Sequence, residues 1–213
     1  VPVATSSLDA LPGAVAAWRP DAIVSIHTPG RPAALPPGVP ALRLPFADIE
    51  AAGPGGCESP HLSAFVTFHA AHRGQRLLIH CTAGLSRSPA YAILALMLDG
   101  MTVGDSCAMV AAAVPEVSPN RRVLWHAETL LNLHRGAIVH EAVRTFAYRH
   151  GAHGAAGLVT GLREVVGTPP SRVLPQGANP GGHLGAGGGQ AHRNPGGTHP
   201  AYLHPPQGVT GAH

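Results

Sequence analysis

The run Leu77-Leu78-Ile79 has no polar position. A strand with one wet face alternates apolar and polar residues, so an unbroken apolar run this short reads as a central strand covered on both faces. Two further segments read as strands. Ala22-Ile23-Val24-Ser25-Ile26 is β-branched and bounded by Pro20-Asp21 and Pro29-Gly30. Residues 41–46 follow a proline-rich loop over 29–40. Ser59-Pro60 resembles an N-cap followed by proline in the first turn, with Leu62, Phe65, Val66 and His69 on one face and Gly74 as the stop. Helices are expected over 88–98, 103–114 and 120–134. Another over 138–149 would present Ile138, Val139, Ala142, Val143 and Phe146 on one side. Strands interleaved with helices of this length imply an α/β fold of three layers, with a central, mostly parallel sheet flanked by helices.

Composition shifts near residue 150. The chain of 213 residues holds 27 glycines and 22 prolines, too many for one packed domain, and from His150 onward Gly, His and Pro dominate. Such a stretch has too little apolar side chain to offset the entropy of ordering it. We therefore expect a packed domain over 1–149 and a mostly disordered tail over 150–213, with a short helix around 158–166. The tail histidines show no regular ligand spacing. Charged residues make up 12% and the net charge of +3 comes from arginine, lysine being absent. Without a basic run or a basic stripe interleaved with aromatics, nucleic acid is not an expected partner. The longest apolar run, 90–98, is far short of the roughly 20 residues that span a bilayer. The first 18 residues lack an export signal, and three cysteines do not suggest a disulfide framework. A cytoplasmic protein from a reducing compartment is expected.

Directly after the apolar strand comes His80-Cys81-Thr82-Ala83-Gly84-Leu85-Ser86-Arg87-Ser88-Pro89, and then a helix. If the loop curls, the backbone N–H groups of Thr82, Ala83, Gly84, Leu85, Ser86 and Arg87 converge on one point, aided by the positive end of the helix dipole. Gly84 lets the chain turn without a Cβ clash. That ring of donors would hold an oxyanion and also favour a thiolate at Cys81. The guanidinium of Arg87 adds a planar fork matched to two phosphate oxygens. A nucleophile and a phosphate cradle thus share one loop. The bland alternative, a small buried cysteine, leaves the accompanying His80, Gly84, Ser86, Arg87 and Ser88 unexplained.

The His80-Cys81-x-Ala83-Gly84-x-Ser86-Arg87-Ser88 segment resembles the active-site loop of the cysteine-dependent protein tyrosine phosphatases, in the wording of the dual-specificity branch. Asp48 lies upstream at the separation where that family keeps its general acid, and Pro119-Asn120 is similar to the pair that begins a late helix in dual-specificity phosphatases. The likeness spans roughly residues 8–135. The loop carries Thr82 and Leu85 where lipid-3-phosphatase relatives have lysines.

This resemblance implies a phosphomonoester hydrolase acting on phosphotyrosine, and on phosphoserine or phosphothreonine if the cleft is shallow, with no metal or other cofactor. Cys81 would be the nucleophile, Arg87 the phosphate clamp and Asp48 the proton donor. Ser88 would hydrogen-bond the departing sulfur, and His80 would orient the loop from behind. An Asp in a proline-rich connection is commonly a cap, and Glu50 and Glu58 lie close enough to take its place as acid. An inositol-phosphate or other small-molecule phosphatase, a phosphate-binding module without turnover, and a sulfur-transfer enzyme remain as alternatives. Partners would be a phosphorylated protein or a small phosphorylated metabolite. Cys57 and Cys107 read as surface or packing residues, with Cys57 a conceivable disulfide partner for an oxidised Cys81. Arg121 and Arg122 read as solvated, or as facing the cleft.

Overall fold

A computed structural model describes residues 2–146 and 163–166, all within the unit Val1–Ser171. Five strands form one sheet: β1 (Pro2–Ser6), β2 (Ala22–His27), β3 (Ala41–Pro45), β4 (Leu77–His80) and β5 (Arg163–Val166). Their order is β3-β2-β4-β1-β5, parallel throughout except for the antiparallel pairing of β1 with β5. The apolar strand β4 is central, and all four of its residues are buried. Leu77 sits opposite Ala22 on one side and Val3 on the other, and His80 sits opposite Ser25 and Ser6.

The pleat divides the core in two. Ala4, Ile23 and Leu78 pack with Leu11, Ala14 and Ala33, beneath helix α1 (Leu11–Trp18) and the proline-rich loop. Val3, Val24, Leu77 and Ile79 face the larger cluster. There α3 (Arg87–Leu98) is buried at every position from Arg87 to Leu96, as a helix apolar all round must be. Helices α4 (Val103–Ala113) and α5 (Arg121–Leu130) pack against it, α2 (Ser59–Ala71) packs on α5, and α6 (Ala137–Thr145) packs on α4 and α5. The three-layer α/β arrangement expected from the sequence is the one observed, with its helices distributed unequally over the two faces. No helix among the described residues is long and apolar enough to cross a membrane.

Several local expectations need correction. Residues 163–166, placed in a helix around 158–166, form strand β5, because the free edge of β1 offers a ladder that a short segment alone cannot supply. The sheet therefore takes a strand from beyond residue 149, inside the stretch expected to be a disordered tail. The rest of that tail, including its histidines, lies outside the described residues. The helix expected over 120–134 ends at Leu130, and Asn132 turns left-handed (φ 51°) two residues later. Glu58, not Ser59, caps α2, with its N–H donating to Nδ1 of His61. On α6, Ile138, Val139, Ala142 and Phe146 are buried as expected, while Val143 is exposed. Strand β1 and helix α1 had no sequence assignment.

The N-terminus of α6 is fixed by Glu128 of α5. Its buried carboxylate accepts N–H groups from Gly136, Ile138 and Val139 at 2.8–2.9 Å. Glu128→Ala leaves those donors unsatisfied inside the protein and should lower unfolding free energy by roughly 3 kcal/mol. Urea denaturation checks this value. A loss under roughly 1 kcal/mol would mean that water replaces the carboxylate at little cost.

Candidate active site

The loop between β4 and α3 curls because its carbonyls are held outward. Thr82 C=O accepts the Leu8 N–H at 3.0 Å, Leu85 C=O accepts Ser118 N–H at 2.9 Å, and Ser86 C=O accepts Asn120 N–H at 3.0 Å. With those carbonyls committed outward, the Gly84 N–H turns inward onto Cys81 Sγ, and the first turn of α3 adds its positive end. Gly84 makes this turn at φ +76°. A Cβ there would come within 2.9 Å of Ser7 N and 3.1 Å of the Ser6 carbonyl carbon, both main-chain atoms at the end of β1. Glycine is thus required by conformation and by space together.

Cys81 is buried at the floor of the loop. Its Sγ accepts the Gly84 N–H at 3.2 Å and lies 3.2 Å from Ser88 Oγ. Arg87, whose side chain is 4% exposed, donates from Nη1 to Phe46 C=O at 2.7 Å and from Nη2 to Thr82 Oγ1 at 3.0 Å. Its Nε makes no hydrogen bond and lies 3.7 Å from Asp48 Oδ2. Asp48 reaches the loop from the segment after β3. Its Oδ1 accepts Ser86 Oγ–H and Asn120 Nδ2–H, both at 2.7 Å. Asn120 also caps α5 by accepting the Val123 N–H at its Oδ1. Asn120, by side chain and main chain together, therefore ties the Asp48 segment, the loop and a helix to one another.

The structure brings together Cys81, Thr82, Gly84, Ser86, Arg87, Ser88 and Asp48, and places Ala83 and Leu85 in the same loop. Glu50 and Glu58 are elsewhere: Glu50 is ion-paired to Arg121, and Glu58 caps α2. Arg121 and Arg122 differ from expectation, since both are engaged with the segment 50–57. Cys57 and Cys107 are buried thiols that burial pushes up to about 11 and about 12, so each is a protonated packing residue at neutral pH. Asn120 entered the sequence reading only as a family marker, and Phe46 only as the end of a strand. A carbonyl that anchors an arginine leaves no mark on residue type.

His80 is 1% exposed, below the loop. Burial pushes it down to about 4, opposed by the Cys81 main chain and aided by His27, Arg43 and Arg87. It is neutral at pH 7, and neither ring nitrogen makes a hydrogen bond among the described residues, so the hydrogen bond by which it was expected to orient the loop is not seen.

No family model and no curated protein matches the sequence. Solved structures do match. A single-residue variant of human DUSP28 is 25% identical with a TM-score of 0.51, covering 61% of this chain and 91% of that one. The Yvh1 phosphatase domain from Chaetomium thermophilum is 18% identical with a TM-score of 0.48, covering 61% and 90%. The chain has the α/β fold of the cysteine-dependent protein tyrosine phosphatases, of the dual-specificity kind.

Two outcomes are expected here. Gly84→Ala should abolish binding of inorganic phosphate in calorimetry, since neither Ser6 nor Ser7 can move aside; retained affinity would contradict the inward curl. For His80 the folded state titrates lower than the unfolded one near 6.5, so its contribution is complete above pH 6.5 and is lost as pH falls toward 4. The full difference amounts to roughly 3 kcal/mol. In His80→Asn the unfolding free energy should be flatter across that window, and an unchanged slope would contradict it.

Proposed function

We propose that this protein hydrolyses phosphomonoesters, phosphotyrosine and phosphoserine or phosphothreonine among them, through a phosphocysteine intermediate. The observation that carries this reading is the convergence on one loop of a sulfur with two donors beside it, a buried guanidinium, and a carboxylate 3.7 Å from that guanidinium. A pure phosphate binder has no use for the sulfur, and sulfur transfer has none for the carboxylate.

The substrate phosphoryl group sits in the curl of N–H donors, with its bridging oxygen toward Asp48. Cys81 Sγ, as thiolate, attacks phosphorus in line and forms the S–P bond as the P–O bond breaks. Arg87 offers Nε and Nη2 to the equatorial oxygens as charge spreads over them. The leaving oxygen takes a proton from Asp48. Because Oδ1 already accepts from Ser86 and Asn120, that proton is carried on Oδ2. In the second step Asp48 Oδ2 takes a proton from water, the water oxygen attacks phosphorus, and the sulfur departs with the Ser88 hydroxyl donating to it.

A thiol nucleophile of this kind works in a reducing compartment, which supports a cytoplasmic location. Residues 1–149, joined by β5, would be the catalytic domain. The absence of lysine around the cradle favours singly phosphorylated protein substrates over inositol polyphosphates or other small phosphorylated metabolites.

A panel of phosphopeptides and inositol phosphates, assayed with the wild type and with Cys81→Ser, tests the reading. Turnover of phosphopeptides by the wild type and a loss of at least about 10⁴-fold in Cys81→Ser are expected. Residual turnover near the wild-type rate would refute the covalent route, and exclusive turnover of inositol phosphates would reassign the substrate.

A further inference from the structure

The acid segment cannot hold itself in place. Between Ala47 and Cys57 it has no regular structure, and it contains Gly53, Gly55 and Gly56, the first two at φ +139° and +84°. Its internal main-chain ties are Ala47 N–H to Gly55 C=O at 2.7 Å and Ile49 N–H to Ala47 C=O at 2.9 Å. A glycine-rich loop so lightly braced loses much conformational freedom when fixed, so the geometry of Asp48 must be imposed from outside.

Ser86 and Asn120 hold the carboxylate itself, and the first turn of α5 braces the segment that carries it. Arg121 donates from Nε to Glu50 Oε2 at 2.8 Å and from its main-chain N–H to Glu50 Oε1 at 3.2 Å. Arg122 donates from Nε to Cys57 C=O and from Nη1 to Ala51 C=O, both at 2.7 Å, so a single planar fork spans the two ends of the glycine-rich turn. Gly56 makes room for that fork. A Cβ there would lie 2.6 Å from Arg122 Nη1 and 2.9 Å from its Cζ, so the guanidinium reaches both carbonyls only because residue 56 has no side chain.

We propose that Arg121, Arg122 and Gly56 form a clasp that positions Asp48, and hence sets how well the enzyme expels poor leaving groups. This rests on the reading of Asp48 as proton donor. Arg121 and Arg122 are positioning residues; neither touches the sulfur or the phosphate cradle. Their effect runs through the carboxylate alone, so it should grow with the proton demand of the leaving oxygen. A merely structural role would lower all rates alike.

The test is kcat for a series of aryl phosphates whose phenols range from strongly to weakly acidic, measured on the full chain. Asp48→Asn should leave good leaving groups little affected and slow the poorest by at least about 100-fold. Arg122→Ala and Gly56→Ala, which removes the clasp while keeping the arginine, should both show the same tilt at about 10-fold or more for the poorest leaving group. Arg121→Ala should tilt less, since Arg122 still spans the turn. Equal losses across the series in the clasp variants, with the tilt kept in Asp48→Asn, would overturn the clasp and leave the catalytic reading standing. Absence of the tilt in Asp48→Asn itself would remove Asp48 as donor and the clasp with it. If Arg122→Ala fails to fold, Gly56→Ala decides.

Discussion

Everything at the candidate site depends on where three carbonyl groups point. Thr82, Leu85 and Ser86 each surrender their C=O to an N–H outside the loop, from the turn after β1, from residue 118 and from the cap of α5. With those acceptors committed outward, the loop can turn an amide inward, as Gly84 does over Cys81. The cradle is therefore a property of the fold as much as of the motif, because its braces come from parts of the chain far apart in sequence.

The same economy governs the acid. Asp48 arrives on a segment too glycine-rich to define its own path, yet its Oδ1 meets two donors and its Oδ2 faces Arg87. Asn120 makes this possible by serving α5 as a cap, Asp48 as a donor and Ser86 as a main-chain partner. Electrostatic preorganisation of this kind requires neighbours that do not move, and the site is surrounded by them: α3 is sealed in the core, and β4 is covered on both faces.

Much of this was legible in the sequence, for identifiable reasons. Leu77-Leu78-Ile79 marked the central strand because an unbroken apolar run fits a strand covered on both faces. The Cys81–Arg87 loop was legible because the chemistry proposed for it requires particular residue types at fixed offsets. Strand β1 was missed because Pro2–Ser6 is short and begins with proline, and β5 because four residues reveal no period; both owe their form to pairing with a neighbour. The roles of Arg121 and Arg122 were hidden for a related reason. An arginine at a helix start normally meets water, and only the folded path of residues 50–57 brings carbonyls and a carboxylate to these two. Contacts made to main-chain atoms are invisible to any reading of residue types.

The central claim, that the sulfur on the floor of this loop becomes covalently bonded to phosphorus, is tested most directly by acid-quenching the protein during incubation with a labelled aryl phosphate and mapping the label by mass spectrometry. The account predicts a phosphoryl group on the peptide that contains Cys81, accumulating when breakdown is slowed. Label on any other residue, or steady turnover with no labelled enzyme at any time, would contradict it.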